Sequence, residues 1–302
     1  MDSILKPLYI AVSWVIVNIH DLLVPLFGAD SGVSWSLAII GLVIIIRIIL
    51  IPLFVKQIKS QRALTALQPH MKDIQKKYKD DRQKQSEEMM KLYKEHKTNP
   101  LASCFPILAQ APIFFALFWV LNGISQNKPH GLLKGEYLVS AQEASFFGAP
   151  LSDTFLGADV TSTKIIAIAL IIFMSATTFT TQRQLMVKGM PKMDSSNNMM
   201  LQQQKIMLYL FPIIFAVTGV NFPIGVLIYW STTNLWTWGQ QYYVIKRNPT
   251  PGSPAYEELQ KKRAAKGLLD EKSNDQDGTT IVENQPEQTG QRKQPKKKKK
   301  RR

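Results

Sequence analysis

The twenty residues Ser36–Val55 are apolar throughout except for Ser36, Gly41, Pro52 and, near the middle, Arg47. At 1.5 Å per residue such a helix covers about 30 Å, the thickness of a bilayer's hydrocarbon core. A guanidinium keeps its proton at any pH a cell reaches. At the centre of a spanning helix it costs roughly 2.5–3.5 kcal/mol on insertion scales. The fold must therefore hold Arg47 in a wet or paired place inside the membrane, which makes it a functional-site candidate.

The rest of the chain repeats this contrast. A composition of 45% hydrophobic residues with a net charge of +15 conceals two populations, nearly charge-free apolar segments and segments dense in Lys and Arg. Besides Trp35–Val55, the segments Phe105–Ile124, Thr163–Thr181, Ile206–Val220 and Pro223–Ile245 have the composition of membrane spans. The fourth span holds about 15 apolar residues and covers only about 22 Å, a length that thins the bilayer or borders a water-filled cavity. Asn221-Phe-Pro223 leaves almost no loop between the last two spans. The expected fold class is an all-α membrane protein. It has a core of five transmembrane helices, a cytosolic two-helix hairpin, an N-terminal interfacial or anchor helix and a disordered basic tail.

Charge asymmetry gives the orientation. Residues 56–100 carry twelve Lys/Arg against six Asp/Glu, residues 182–205 four against one, and residues 125–162 two against four. Positive-inside reasoning places the first two segments and the tail in the cytosol and 125–162 outside. In the N-terminal stretch Ser3–Phe27, Lys6, Ser13, His20 and Asp21 share one side of a helix, with apolar residues opposite. That pattern suits a helix lying at the outer interface, and it also suits an uncleaved signal anchor. A cleaved signal peptide fits less well, because Lys6 is the only basic residue of its n-region and no small-residue cleavage site follows.

Two further regions have a pattern of their own. Leu64, Leu67, Met71, Ile74 and Tyr78 recur at alternating spacings of 3 and 4, Asp80-Asp81 interrupts, and Met89, Met90 and Tyr93 offer a facing seam before Asn99-Pro100. This predicts a two-helix antiparallel hairpin. From Asn248 onward the chain is rich in Pro, Gln, Asn, Lys and Glu, a composition that predicts disorder. Its last seven residues, Lys296, Lys297, Lys298, Lys299, Lys300, Arg301 and Arg302, form a run that attracts polyanions, either phosphate backbones or anionic lipids. The expected organisation is 1–30 for the N-terminal helix, 31–55 for the first core span, 56–100 for the hairpin, 101–247 for spans two to five, and 248–302 for the tail.

Enzyme chemistry finds little purchase. There is no G-x-x-x-x-G-K-[ST] loop and no H-E-x-x-H pair, and the four histidines are scattered. The single cysteine, Cys104, precludes an internal disulfide and is expected to pack rather than react. No cofactor or metal is expected. No acidic residue lies in the apolar core of any span, so Arg47 lacks a counter-ion in the sequence.

The motifs in their order resemble one family. Arg47 is followed by the charged hairpin, then by Glu88-Met-Met-Lys-Leu-Tyr-Lys94, Asn99-Pro-Leu101 and Cys104-Phe-Pro-Ile-Leu-Ala-Gln-Ala-Pro-Ile-Phe114. With Phe222-Pro-Ile-Gly-Val-Leu-Ile-Tyr-Trp-Ser-Thr-Thr-Asn-Leu235, these resemble the YidC/Oxa/Alb membrane protein insertases over roughly residues 33–247. The absence of a large external domain within that region resembles the compact five-span type of Gram-positive bacteria. The resemblance implies a protein of the bacterial plasma membrane, with hairpin and C-terminus cytoplasmic, that inserts and helps fold nascent membrane proteins. It implies a monomer working alone or with the Sec translocon, and a groove open to the cytosol and to lipid. By motif position Arg47, Gln182 and Trp230 would line that groove, while Gln110 and Asn234 join them only as polar residues inside spans. Some relatives have Thr or Ser one turn before the arginine, where this chain has Val43. The basic tail suits a translating ribosome or anionic lipids. The rival reading is a transporter or channel for an anionic solute with Arg47 as its binding site, although that class shows repeated halves and no internal repeat is found here. A targeting or scaffold subunit that inserts nothing alone is a second rival.

Overall fold

The computed structural model describes residues 2–96, 98, 99, 105–190 and 199–266, all within one compact unit, Met1–Leu268. Cys104 and the terminal run Lys296–Arg302 lie outside the described residues. The described fold is helical apart from one two-stranded ribbon. Helix α1 (Asp2–Phe27) is followed by α2 (Gly32–Ile49), α3 (Ile51–Ala66), α4 (Gln68–Lys77), α5 (Arg82–Glu95) and α6 (Phe105–Ser125). Then come α7 (Glu136–Glu143), the strands β1 (Ser145–Phe146) and β2 (Ala149–Pro150), and α8 (Thr161–Gln184), which ends in a π-turn over Leu185–Gly189. Helices α9 (Met199–Gly219), α10 (Ile224–Arg247) and α11 (Pro254–Ala265) complete the described chain.

Helices α2, α6, α8, α9 and α10 form the apolar bundle, in register with the five segments read from hydropathy. Two of them differ from expectation. The first span is not one helix through Val55: it stops at Ile49, and a new helix starts at Ile51 with Pro52 in its first turn. Proline supplies no N–H to the preceding turn, which explains the break. The fourth span is not a 15-residue helix either, since α9 begins at Met199 and runs 21 residues. Its polar first turns, Leu201-Gln-Gln-Gln-Lys205, are good helix formers that carry no hydropathy signal.

The core is concentrated at one end of the bundle, which residues 126–160 cap. Trp35, Leu42, Leu117, Val120, Ile224 and Leu227 are almost fully buried there, together with Ile16 of α1. The cap is tied on by hydrogen bonds. Ile224 N–H donates to the Asp153 carbonyl at 2.9 Å and Gly225 N–H to Leu151 at 3.0 Å. The Trp35 indole donates to Ser140 Oγ at 3.1 Å, and the Gln142 amide donates to the Ile124 carbonyl at 2.8 Å.

Helix α1 has the length and hydropathy to cross a membrane; it packs on α2 and α6 and also touches the cap. Tyr9 meets the His130 ring, Ser13 Oγ accepts from Leu132 N–H at 2.8 Å, and the Tyr137 hydroxyl donates to Asp21 at 2.9 Å. Gly131 must be glycine here: its φ is +61°, and a Cβ would lie 2.1 Å from Ser13 Oγ.

Helices α4 and α5 pack as a hairpin, with Tyr93 donating to the Met71 sulfur at 3.7 Å and His70 stacked on His96. Leu67 and Leu92 are its buried residues, whereas Met90 of the expected seam is 49% exposed. Residues 254–265, expected to be irregular, form α11 because Ser253 caps the Tyr256 N–H and Pro254 presets the first turn.

Candidate functional site

Arg47 stands in the last turn of α2, three residues before the break at Leu50. A helix C-terminus carries partial negative charge, so the break gives the cation a favourable position. The side chain is half-buried, and among the described residues no carboxylate lies within ion-pair distance of it. Its electrostatic neighbour is the phenol of Tyr229 on α10, one turn before Thr233. The guanidinium therefore has a neutral, polarisable group as its neighbour. Val43, one turn before the arginine, is 1% exposed and belongs to the apolar core.

Helices α8 and α10, which pack together, are rich in hydroxyls. Thr178 and Thr181 donate to carbonyls one turn back at 2.8 and 2.7 Å, and Thr232 and Thr237 do the same on α10 at 2.8 Å each. Donating to the backbone satisfies each hydroxyl proton without water and leaves oxygen lone pairs facing outward. A polar flank can therefore exist in an apolar bundle at small cost.

The other expected site residues fall in different settings. Asn234 is spent on a neighbouring helix: its amide donates to Thr178 Oγ1 at 3.0 Å and to the Met174 carbonyl at 3.3 Å. It ties α8 to α10. Trp230 sits among aromatic rings, with Phe114, Phe215 and Phe222 at centroid distances of 5.6, 5.2 and 5.2 Å. It packs against α6 and α9. Gln110 lies one turn before Phe114 on α6 and is half-buried, and Phe114 in turn meets Tyr229. Gln182 lies one turn beyond Thr178, at the end of α8 away from the cap, and is half-buried. Arg47 and Trp230 are thus linked through Tyr229 and Phe114, Gln110 stands one turn from Phe114, and Asn234 of α10 bonds to α8, which ends near Gln182.

Sequence reasoning passed over Tyr229, Thr233 and Thr178. The signal for them is the pair of hydroxyl-rich runs, Ala176-Thr-Thr-Phe-Thr-Thr181 and Ser231-Thr-Thr233, inside otherwise apolar helices.

The model of the family described as 60Kd inner membrane protein matches residues 26–251, which takes in the whole bundle, the cap and the hairpin. The chain belongs to the 60Kd inner membrane protein family. Among members of this family, the membrane protein insertase YidC of Streptomyces avermitilis is 54% identical over 262 residues, covering 84% of this chain and 61% of that protein. The membrane protein insertase YidC of Tropheryma whipplei is 38% identical over 280 residues, covering 87% of this chain and 90% of that protein. The crystal structure of an active YidC insertase with its first transmembrane domain resolved superposes with a TM-score of 0.50 at 26% identity. That match covers 80% of this chain and 46% of the other. The resemblance drawn from the motifs is borne out, and this family member is a bacterial membrane protein, mostly helical among the described residues.

Proposed function

We propose that this chain is a membrane protein insertase, which moves segments of newly made membrane proteins into the bilayer along a polar groove beside Arg47. The observation that supports the reading is a half-buried guanidinium inside the apolar bundle with a phenol as its neighbour and, among the described residues, no carboxylate in reach. The reading is also supported by the names of the relatives, both called membrane protein insertase.

In this reading the capped end faces outward and α1 lies at the outer interface against the cap. The α4–α5 hairpin and the terminal run Lys296–Arg302 face the cytosol. A hydrated cation in the inner leaflet attracts acidic residues of a substrate's translocating segment and shortens the low-dielectric path they must cross. The apolar segment of the same substrate then leaves along exposed apolar faces such as Ile206, Leu210, Ile213 and Val217 of α9, gaining about 25 cal/mol per Å² removed from water. The membrane potential adds about 2.3 kcal/mol per charge per 100 mV, so no nucleotide is called for. Nascent membrane proteins are the substrates, the tail holds a translating ribosome, and the Sec translocon and anionic lipids are further partners.

The test is reconstitution of the full chain in liposomes with two single-span substrates, one with an acidic external tail and one with a neutral tail. Arg47→Ala should impair insertion of the acidic substrate at least about tenfold while the neutral one is largely spared, and Arg47→Lys should keep part of the difference. Equal loss for both would make the arginine a structural element only. Uptake of an anionic solute without insertion would replace this reading by a transporter.

A further inference from the structure

Helix α11 turns one face toward the end of α10 and the π-turn after α8, enclosing a recess of about 810 Å³. Ala255, Glu258, Leu259, Lys262 and Arg263 of α11 and its C-cap Lys266 line it, the i, i+3, i+4, i+7, i+8, i+11 positions of a single helical stripe. The stripe begins apolar and ends in three cations. Opposite them stand Lys188 of the π-turn and Lys246 and Arg247 of α10, so six cations converge on the recess against one carboxylate, Glu258. All six are exposed and gather like charge around a cavity of ligand size, and like charges at short range repel. An anion between them converts the repulsion into attraction.

Two observations narrow the anion. Gln184, which also lines the recess, has a buried side-chain oxygen with no hydrogen-bond partner among the described residues, an acceptor suited to a ligand hydroxyl. The two turns of α10 leading to the recess expose Trp238, Tyr242 and Tyr243 at 37, 51 and 61%, and the Lys246 ammonium lies 5.6 Å from the Tyr242 ring centre. Exposed Trp and Tyr on a spanning helix mark the level of the lipid headgroups. Basic pockets between helices at that level suit phosphate-bearing headgroups.

We infer that the recess between α10 and α11 binds the headgroup of an anionic phospholipid, of the phosphoglycerol class, whose phosphate sits among the cations and whose glycerol hydroxyl reaches Gln184. This site is built from residues 184–266 and is separate from the terminal basic run. The bound lipid would neutralise the facing charges and hold α11 against the bundle.

The full chain in phosphatidylcholine nanodiscs doped with phosphatidylglycerol or cardiolipin, followed by stepwise delipidation and native mass spectrometry, tests this. Wild type should retain anionic lipid after phosphatidylcholine is lost. Lys262→Gln/Arg263→Gln should lower that retention at least about tenfold, from about 1 kcal/mol per basic residue near the surface, while Arg263→Lys keeps it. A variant lacking Arg292–Arg302 should retain the lipid as wild type does. Loss of the lipid with that deletion alone would place binding on the tail and overturn the proposal. Full displacement of lipid by millimolar inorganic phosphate would reduce the recess to a general anion site, and preferential capture of an RNA oligonucleotide through the same residues would make it a nucleic-acid site; either result overturns it. Unchanged helicity of the glutamine variant by circular dichroism separates lost binding from lost folding.

Discussion

The amide of Asn234 on α10 donates to the hydroxyl of Thr178 on α8 at 3.0 Å, and Thr178 in turn donates to the Met174 carbonyl at 2.8 Å. A chain of two hydrogen bonds therefore joins the helices next to the hydroxyl-rich flank. Interhelical bonds of this kind contribute about 0.6 kcal/mol on average and up to about 1.7 in membrane bundles. Asn234→Ala and Thr178→Val should each lower stability by that order in detergent unfolding, while insertion of a neutral substrate persists. The double variant should lose less than the sum of the singles, since both remove one interaction. Strict additivity would show that the bond contributes nothing.

Gly32 opens α2 under the ribbon, where an added Cβ would lie 2.1 Å from the Ser145 carbonyl oxygen. Backbone cannot rotate aside as a side chain does, so Gly32→Ala must displace β1 or the start of α2. Overpacking of this kind costs roughly 1–3 kcal/mol. Thermal unfolding in detergent should show the loss, and limited proteolysis should cut residues 126–160 sooner than in wild type. A melting temperature equal to wild type would mean the cap is not seated on α2 as described.

Asp153 in the cap has its carboxyl pushed above the usual carboxylate range, first by burial and then by the nearby Asp159. Its folded pKa exceeds the unfolded one, so the stability it contributes is fully present below the unfolded value of about 3.9 and lost as pH rises through the folded value. At neutral pH the ionised group therefore works against the fold. Asp153→Asn should raise the melting temperature slightly at pH 7, and the gain should shrink as the pH falls toward about 4. A gain independent of pH would point to a cause other than charge.

Removing Lys296–Arg302 takes seven positive charges from the tail. Ribosome co-sedimentation should fall at least about tenfold at low salt, with the difference narrowing as salt rises, because counterion release drives such contacts. Insertion of substrates released from the ribosome should continue. Co-sedimentation that ignores the deletion would assign ribosome contact to another part of the chain.

Much of this protein is legible in its sequence because a bilayer allows few solutions. Backbone groups in hydrocarbon must be satisfied within each segment, so an apolar run long enough to cross is a helix. The five helices of the bundle, the α4–α5 hairpin and the unusual placing of Arg47 in an apolar helix follow from that rule and from charge. What the sequence does not carry is which polar residue meets which. Arg47 and Tyr229 lie far apart along the chain, and nothing in either local pattern joins them. The hydrogen bond of Asn234 to Thr178 and the contacts of Trp230 with three aromatic rings are likewise written in no local pattern. Hydropathy also misses α11 and the first turns of α9, whose helices rest on capping and propensity rather than on apolar content. Period and composition fix what each segment is; the pairing of side chains across helices depends on rotation and depth, which only packing decides.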